Sequence, residues 1–126
     1  MRPGLLAWQW RDYVAKHRDR ANLLVHIVAV PLFLLSVIGL IYAAVIGSAG
    51  CAGLAIAGLA VSVVAQGRGH VREREAPTPF SGVGDFVTRL LAEQWITFPR
   101  FVLSGAWYRN LTRATERPPA AEPRRR

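Results

Sequence analysis

His17, His26 and His70 are the only imidazoles in this chain, and Glu73 follows the last of them by three residues. On a helix that spacing puts His70 and Glu73 on one face. Three imidazoles and a carboxylate converging on one point suit a first-row metal. His-plus-carboxylate sites with open positions are typical of non-haem Fe(II) oxygenases. His26 is the most informative of the four, because it lies inside an apolar stretch, where a polar ring is costly and functional by default. His17 and His26 are nine residues apart and would point in opposite directions on one unbroken helix; a break at Asp19–Asn22 lets the chain fold back. Each residue also has a plainer use. His17 fits an aromatic at headgroup level, His26 fits a ring bonded to Asn22 or a carbonyl, and His70, Glu73 and Glu75 fit a solvated charge run. Cys51 is the lone cysteine, so no intrachain disulfide and no cysteine metal cluster forms.

The elements that position these residues follow from the charge pattern. From Ala21 to Gly67 there is no Asp, Glu, Lys or Arg. A bilayer core needs about 20 apolar residues per helix, so the stretch holds two spans, about 23–46 and about 51–66, around a turn marked by Gly47, Ser48, Gly50 and Gly53. Asn22 is the expected N-cap of the first span, and Pro31 is expected to kink it. Gly53 with Ala57 and Gly58 with Ser62 are small-residue pairs that let the spans pack closely. Before them, Leu6, Trp10, Tyr13, Val14 and His17 share a stripe of an interfacial helix, about 4–18. After them come the His/Glu segment 66–75 and a Pro/Ser/Gly loop. Interfacial or re-entrant helices follow over about 85–108, interrupted at Pro99. There Val87, Leu90, Leu91, Gln94 and Phe98 share one face, and Asp85, Arg89 and Glu93 pair on the other. The expected fold is an all-α integral membrane protein, a transmembrane helical hairpin flanked by interfacial amphipathic helices. Residues 1–111 form one membrane domain, and 112–126 read as a disordered basic tail.

The 16 basic against 8 acidic residues give a net charge of +8. Such a balance often signals nucleic acid, but no soluble domain remains to present a basic face. Every basic residue lies outside the charge-free stretch, with arginines at both of its ends and none in the turn. The positive-inside bias then places both termini in the cytoplasm, with the basic ends against anionic membrane lipids. The apolar run is too long for a cleaved signal peptide. All but one of the basic residues are arginine, which fits a GC-rich bacterial gene and hence the bacterial cell (inner) membrane.

Tyr13-x3-His17-x4-Asn22-x3-His26-x4-Pro31, and then Gln66-x2-Gly69-His70-x2-Glu73, resemble the two signatures of the small membrane proteins related to the yeast 2-hydroxy fatty acid dioxygenase. The tract from Glu93 to Leu103 is similar to the ending of a bacterial branch. The resemblance covers roughly Trp8 to Trp107. It implies an Fe(2+)-dependent dioxygenase of fatty-acid α-oxidation, which takes a 2-hydroxy fatty acid and O2 to the acid one carbon shorter. It maps the catalytic and metal-holding roles onto His17, His26, His70 and Glu73. The chain departs from the family at Ala29, where a glycine is usual. It also has Arg74 where the yeast branch often has its glutamate, which leaves Glu75 as the alternative carboxylate. The acyl tail would lie between the helices and the carboxylate at headgroup depth, paired by Arg68, Arg72 or Arg74, with Asn22 also contacting substrate. Two rival readings are non-catalytic: a haem- or metal-binding module using His26 and His70, or a structural, lipid-organising hairpin. A homo-oligomer is compatible with each.

Overall fold

The computed structural model describes residues 4–115. The chain runs through α1 (Leu5–Lys16), α2 (Arg20–Ile46), α3 (Ala49–His70), α4 (Val83–Ala92), a π-helical segment (Glu93–Thr97), α5 (Phe98–Leu103) and α6 (Ala106–Thr115), with no strand among the described residues.

The break between α1 and α2 is short and specific. α1 ends at His17, whose N–H still bonds to the Tyr13 carbonyl while its own φ of −99° and ψ of 80° leave the helix. Asp19, extended at ψ 131°, caps α2 by accepting from the Asn22 N–H at 2.9 Å. The cap is therefore Asp19 and not Asn22: a carboxylate three residues before the N–H reaches it, whereas Asn22 is already helical and its side chain is used elsewhere.

α2 runs unbroken through Pro31 to Gly47, whose positive φ of 68° closes the helix. Proline removes the donor that would have reached the Ile27 carbonyl. Two residues before it, the Ala29 carbonyl accepts the Ser62 hydroxyl from α3 at 2.7 Å. Ser48 caps α3, and α3 packs along α2. A Cβ at Gly58 would collide with the Ser36 hydroxyl, and one at Gly69 with the Asn22 side chain. Gly58 and Ser62 are thus at the contact. Gly53 and Ala57 are not, since a Cβ at Gly53 meets nothing and Ala57 is exposed.

Both helices are long and apolar enough to cross a membrane, and only 28% and 17% of their most apolar windows are buried. Val28, Leu35, Val45 and Leu54 are each at least 66% exposed. A soluble core helix would hide such residues.

The C-terminal third differs from the sequence expectation at Pro99 and at the start of the tail. Pro99 does not interrupt the helix; the chain continues from Val83 to Leu103 with a change of pitch. Pro99 cannot donate to the turn before it, and that turn widens, the Phe98 N–H bonding to the Glu93 carbonyl five residues back. α5 then places Phe98 and Phe101 in the core with Tyr13, Leu23, Val30 and Ala106. α6 ties the structure together. Trp107 Nε1 donates to the Leu23 carbonyl at 3.0 Å, and Asn110 Nδ2 to the His17 and Val14 carbonyls at 2.6 and 3.1 Å. Residues 112–115 belong to this helix and not to the expected tail; 116–126 lie outside the described residues.

Candidate metal centre

The three histidines come from three different places. His17 ends α1, His26 lies nearly two turns into α2, and His70 closes α3. Their ring centroids form a triangle, 4.9 Å apart in every pair, with the planes crossing at 73–87°. A carboxylate completes the group, and it is Glu93. One donor atom from each of His17, His26, His70 and Glu93 lies within 4.8 Å of all the others, and His26 Nε2 is 3.6 Å from Glu93 Oε1.

The rings are held by their far sides. His17 Nδ1 is 2.9 Å from the Tyr13 carbonyl and His26 Nδ1 is 2.9 Å from the Asn22 carbonyl. A carbonyl only accepts, so both Nδ1 atoms carry hydrogens and a neutral ring presents the Nε2 lone pair. That arrangement orients metal-ligating histidines. His17 Nε2, His26 Nε2 and Glu93 Oε1 are all buried without a hydrogen-bond partner, an arrangement that is costly unless something engages them. Burial, reinforced by the neighbouring rings of His26 and His70, holds His17 well below the usual histidine range. Its ring is therefore neutral and able to ligate at neutral pH. Tyr13 stacks on His17 at 3.5 Å between centroids and 18° between planes. Burial, with Glu93 close by, pushes its hydroxyl well above the usual tyrosine range, so it stays protonated. Phe98 and Phe101 wall the cluster on the α5 side.

Glu73 lies outside this group. Its carboxylate accepts from the Arg18 and Asp19 N–H groups at 3.0–3.1 Å and from Asn22 Nδ2 at 2.7 Å. It clasps the N-terminus of α2, where the helix dipole favours negative charge, and so ties the end of α3 to the α1–α2 corner. Asn22, fully buried, serves the same clasp. Arg68 and Arg72 line a separate groove of about 610 Å³ with Val25, Val61 and Val64. A cavity of about 500 Å³ opens onto the metal centre; Tyr13, His17, His70 and Glu93 line its polar end, and Lys16, Arg74 and Arg89 are its cations. Of the three arginines expected near a substrate carboxylate, only Arg74 borders this cavity. Glu75 lines it too, outside the histidine group.

Glu93 and Arg89 had been expected on an outward face. Glu93 turns inward because the π segment lets two adjacent residues face the core, whereas Arg89, one turn before that segment, is buried by its own contacts with the Trp8 and Phe80 rings and the Thr78 and Pro79 carbonyls. Glu93 meets the histidines, while Gln94 bonds reciprocally with Gln66 at 2.8 and 3.2 Å. π segments of this kind are frequent at functional sites. The available sequence signal was a Glu-Gln pair opening the aromatic-rich tract Trp95–Phe101. Trp107 and Asn110, which brace the site from α6, carried none. No curated protein and no solved structure matches the chain. One family model does, described as 2-hydroxy-palmitic acid dioxygenase Mpo1-like, over residues 5–99. That span holds all three histidines and Glu93, and the chain belongs to the 2-hydroxy-palmitic acid dioxygenase Mpo1-like family.

Proposed function

We propose that this protein is a membrane-embedded, Fe(II)-dependent dioxygenase that converts a 2-hydroxy fatty acid to the acid one carbon shorter. The observation that carries the reading is the convergence of His17, His26, His70 and Glu93, with buried, unpaired donor atoms on His17, His26 and Glu93. Family membership supplies the reaction class. The residue set fits the metal: three imidazoles and a carboxylate suit a first-row ion and leave positions for other ligands. When bound there, iron would supply O2 activation. The overall change balances with O2 as the oxidant, the 2-hydroxy acid giving the shortened acid, CO2 and water, so no external reductant enters.

The chain's own residues do the rest. The Tyr13 and Asn22 carbonyls fix the tautomers of His17 and His26. Phe98 and Phe101 keep one side of the centre apolar, and Val63, Phe80, Phe86 and Leu90 give the adjoining cavity a wall for an acyl chain. α2 and α3 are read as spans, with the metal centre at their cytoplasmic ends in a bacterial inner membrane. The exposed aliphatic side chains along both helices support that placement.

The test is to purify the protein in detergent, measure bound iron, and incubate it with 2-hydroxypalmitate and O2. Near-stoichiometric iron and a product shortened by one carbon are expected, with both lost in His26→Ala. Absence of iron, together with full activity in His26→Ala, would overturn the assignment.

A further inference from the structure

A metal held by the histidine cluster would engage His17 Nε2, His26 Nε2 and Glu93 Oε1. It leaves four other buried polar atoms without a hydrogen-bond partner: Asn22 Oδ1, which lies against Gly69 and outside the cavity, and Gln9 Oε1, Tyr13 Oη and Arg89 Nε, which form a second group. All three side chains are less than a tenth exposed, and all three line the cavity beside the metal centre. Their placement is regular. Gln9, Tyr13 and His17 are each four residues apart and share one face of α1; Arg89 and Glu93 are four apart on the facing helix. The two rows meet where Gln9 Nε2 donates to the Arg89 carbonyl at 2.8 Å. Arg89 is fixed in place, its guanidinium over the rings of Trp8 and Phe80 at 5.0 and 4.3 Å. Its Nη1 donates to the Thr78 and Pro79 carbonyls at 3.0 and 3.2 Å and lies 3.5 Å from Asp85 Oδ2. Nε is left for something else.

The uncommitted atoms define a ligand. Tyr13 O–H and Arg89 Nε–H are donors, one of them on a cation, and they match a carboxylate. Gln9 Oε1 is an acceptor and matches a hydroxyl. We propose that Gln9, Tyr13 and Arg89 form a head-group receptor for a 2-hydroxy acid. Tyr13 and Arg89 take the carboxylate and Gln9 accepts from the 2-hydroxyl, with the chain running along Val63, Phe80, Phe86 and Leu90. This rests on the reading of the site as acting on a 2-hydroxy fatty acid. It moves recognition of the head group from Arg68 and Arg72 to α1 and α4.

Two variants separate the two halves of the receptor. Full-length protein in micelles is titrated without O2 against 2-hydroxypalmitate, palmitate and methyl 2-hydroxypalmitate, once loaded with Fe(II) and once metal-free. Tyr13→Phe keeps the ring stacked on His17 and removes only the donor. It is expected to keep wild-type iron content while reducing the preference for acid over ester on the order of tenfold, the size of one charge-assisted hydrogen bond. Gln9→Met is expected to leave that preference intact and abolish the preference for 2-hydroxypalmitate over palmitate. Wild-type ratios in both variants overturn the receptor. So does loss of iron from Tyr13→Phe in step with affinity, because Tyr13 would then serve only Glu93. If the wild-type protein takes up no iron, the dioxygenase reading fails, while the metal-free ratios still decide the receptor.

Discussion

Glu73 and Glu93 carry the same charge but meet different neighbours, and neutral substitution separates their jobs. Glu93→Gln keeps the shape of the side chain and removes the anion from the histidine cluster. Iron affinity is expected to fall on the order of 100-fold with little change in metal-free stability, as measured by metal titration and thermal unfolding. Glu73→Gln weakens the bonds to Arg18, Asp19 and Asn22. It should cost about 1–3 kcal/mol of stability while the folded fraction still binds iron. The opposite pattern would return the ligand role to Glu73. Of the histidines, His26 was legible on its own because a polar ring in an apolar run has few other uses, and His17 and His70 were legible only as the imidazoles flanking that run. The carboxylate was not: spacing reports only neighbours on one helix, and Glu93 reaches His26 from 67 residues away in sequence. His17 adds a pH dependence. Its burial lowers the folded-state pKa, so between that value and the ordinary one of about 6.5 the unfolded chain binds the extra proton. The contribution of His17 to stability is therefore complete above about pH 7 and lost as pH falls below about 6.5. Melting curves of metal-free protein should move to lower temperature over that range, and a flat profile would contradict the burial.

At the scale of elements, the α2–α3 contact depends on which glycines face it. Gly53 lies in the interior of α3 with open space where a Cβ would go, so Gly53→Ala should raise stability by up to about 1 kcal/mol through helix propensity alone. Gly69→Ala has the same propensity gain but drives a methyl group into the buried Asn22 side chain. Moving Asn22 breaks its bond to Glu73, a loss of about 1–3 kcal/mol, and the variant should melt below wild type. Parallel thermal unfolding of the two proteins in one detergent checks the difference in sign. The positions of the two long helices were readable because a charge-free apolar length dictates them, and the helices exceed the expected bounds by only a few residues. The small-residue pairs were half readable: periodicity identifies a stripe but not the side that meets a partner. The π segment was not readable, since a single widened turn leaves the helical pattern of apolar residues nearly unchanged. Its effect is nevertheless decisive, because it turns both Glu93 and Gln94 inward.

For the molecule as a whole, the proposed membrane placement has a direction as well as a depth. α2 with 27 residues and α3 with 22 extend about 40 and about 33 Å at about 1.5 Å per residue, against a hydrocarbon core of about 30 Å. Arg18, Arg20, Arg68, Arg72 and Arg74 all gather at the metal-centre end, while the turn at Gly47–Ser48 carries no charge. In the proposed placement the positive-inside bias would put the metal centre on the cytoplasmic side and the turn on the other. Cys51, the only cysteine, is exposed beside that turn and reports on it directly. In right-side-out membrane vesicles a membrane-impermeant thiol reagent should label wild-type protein. A Cys51→Ser, Glu75→Cys protein, with its thiol in the exposed connection after α3, should react only after the vesicles are opened. Reversed accessibility would turn the metal centre outward. Labelling of both positions in sealed vesicles would remove the hairpin from the membrane altogether, and with it the argument that the acyl chain reaches the cavity from the bilayer.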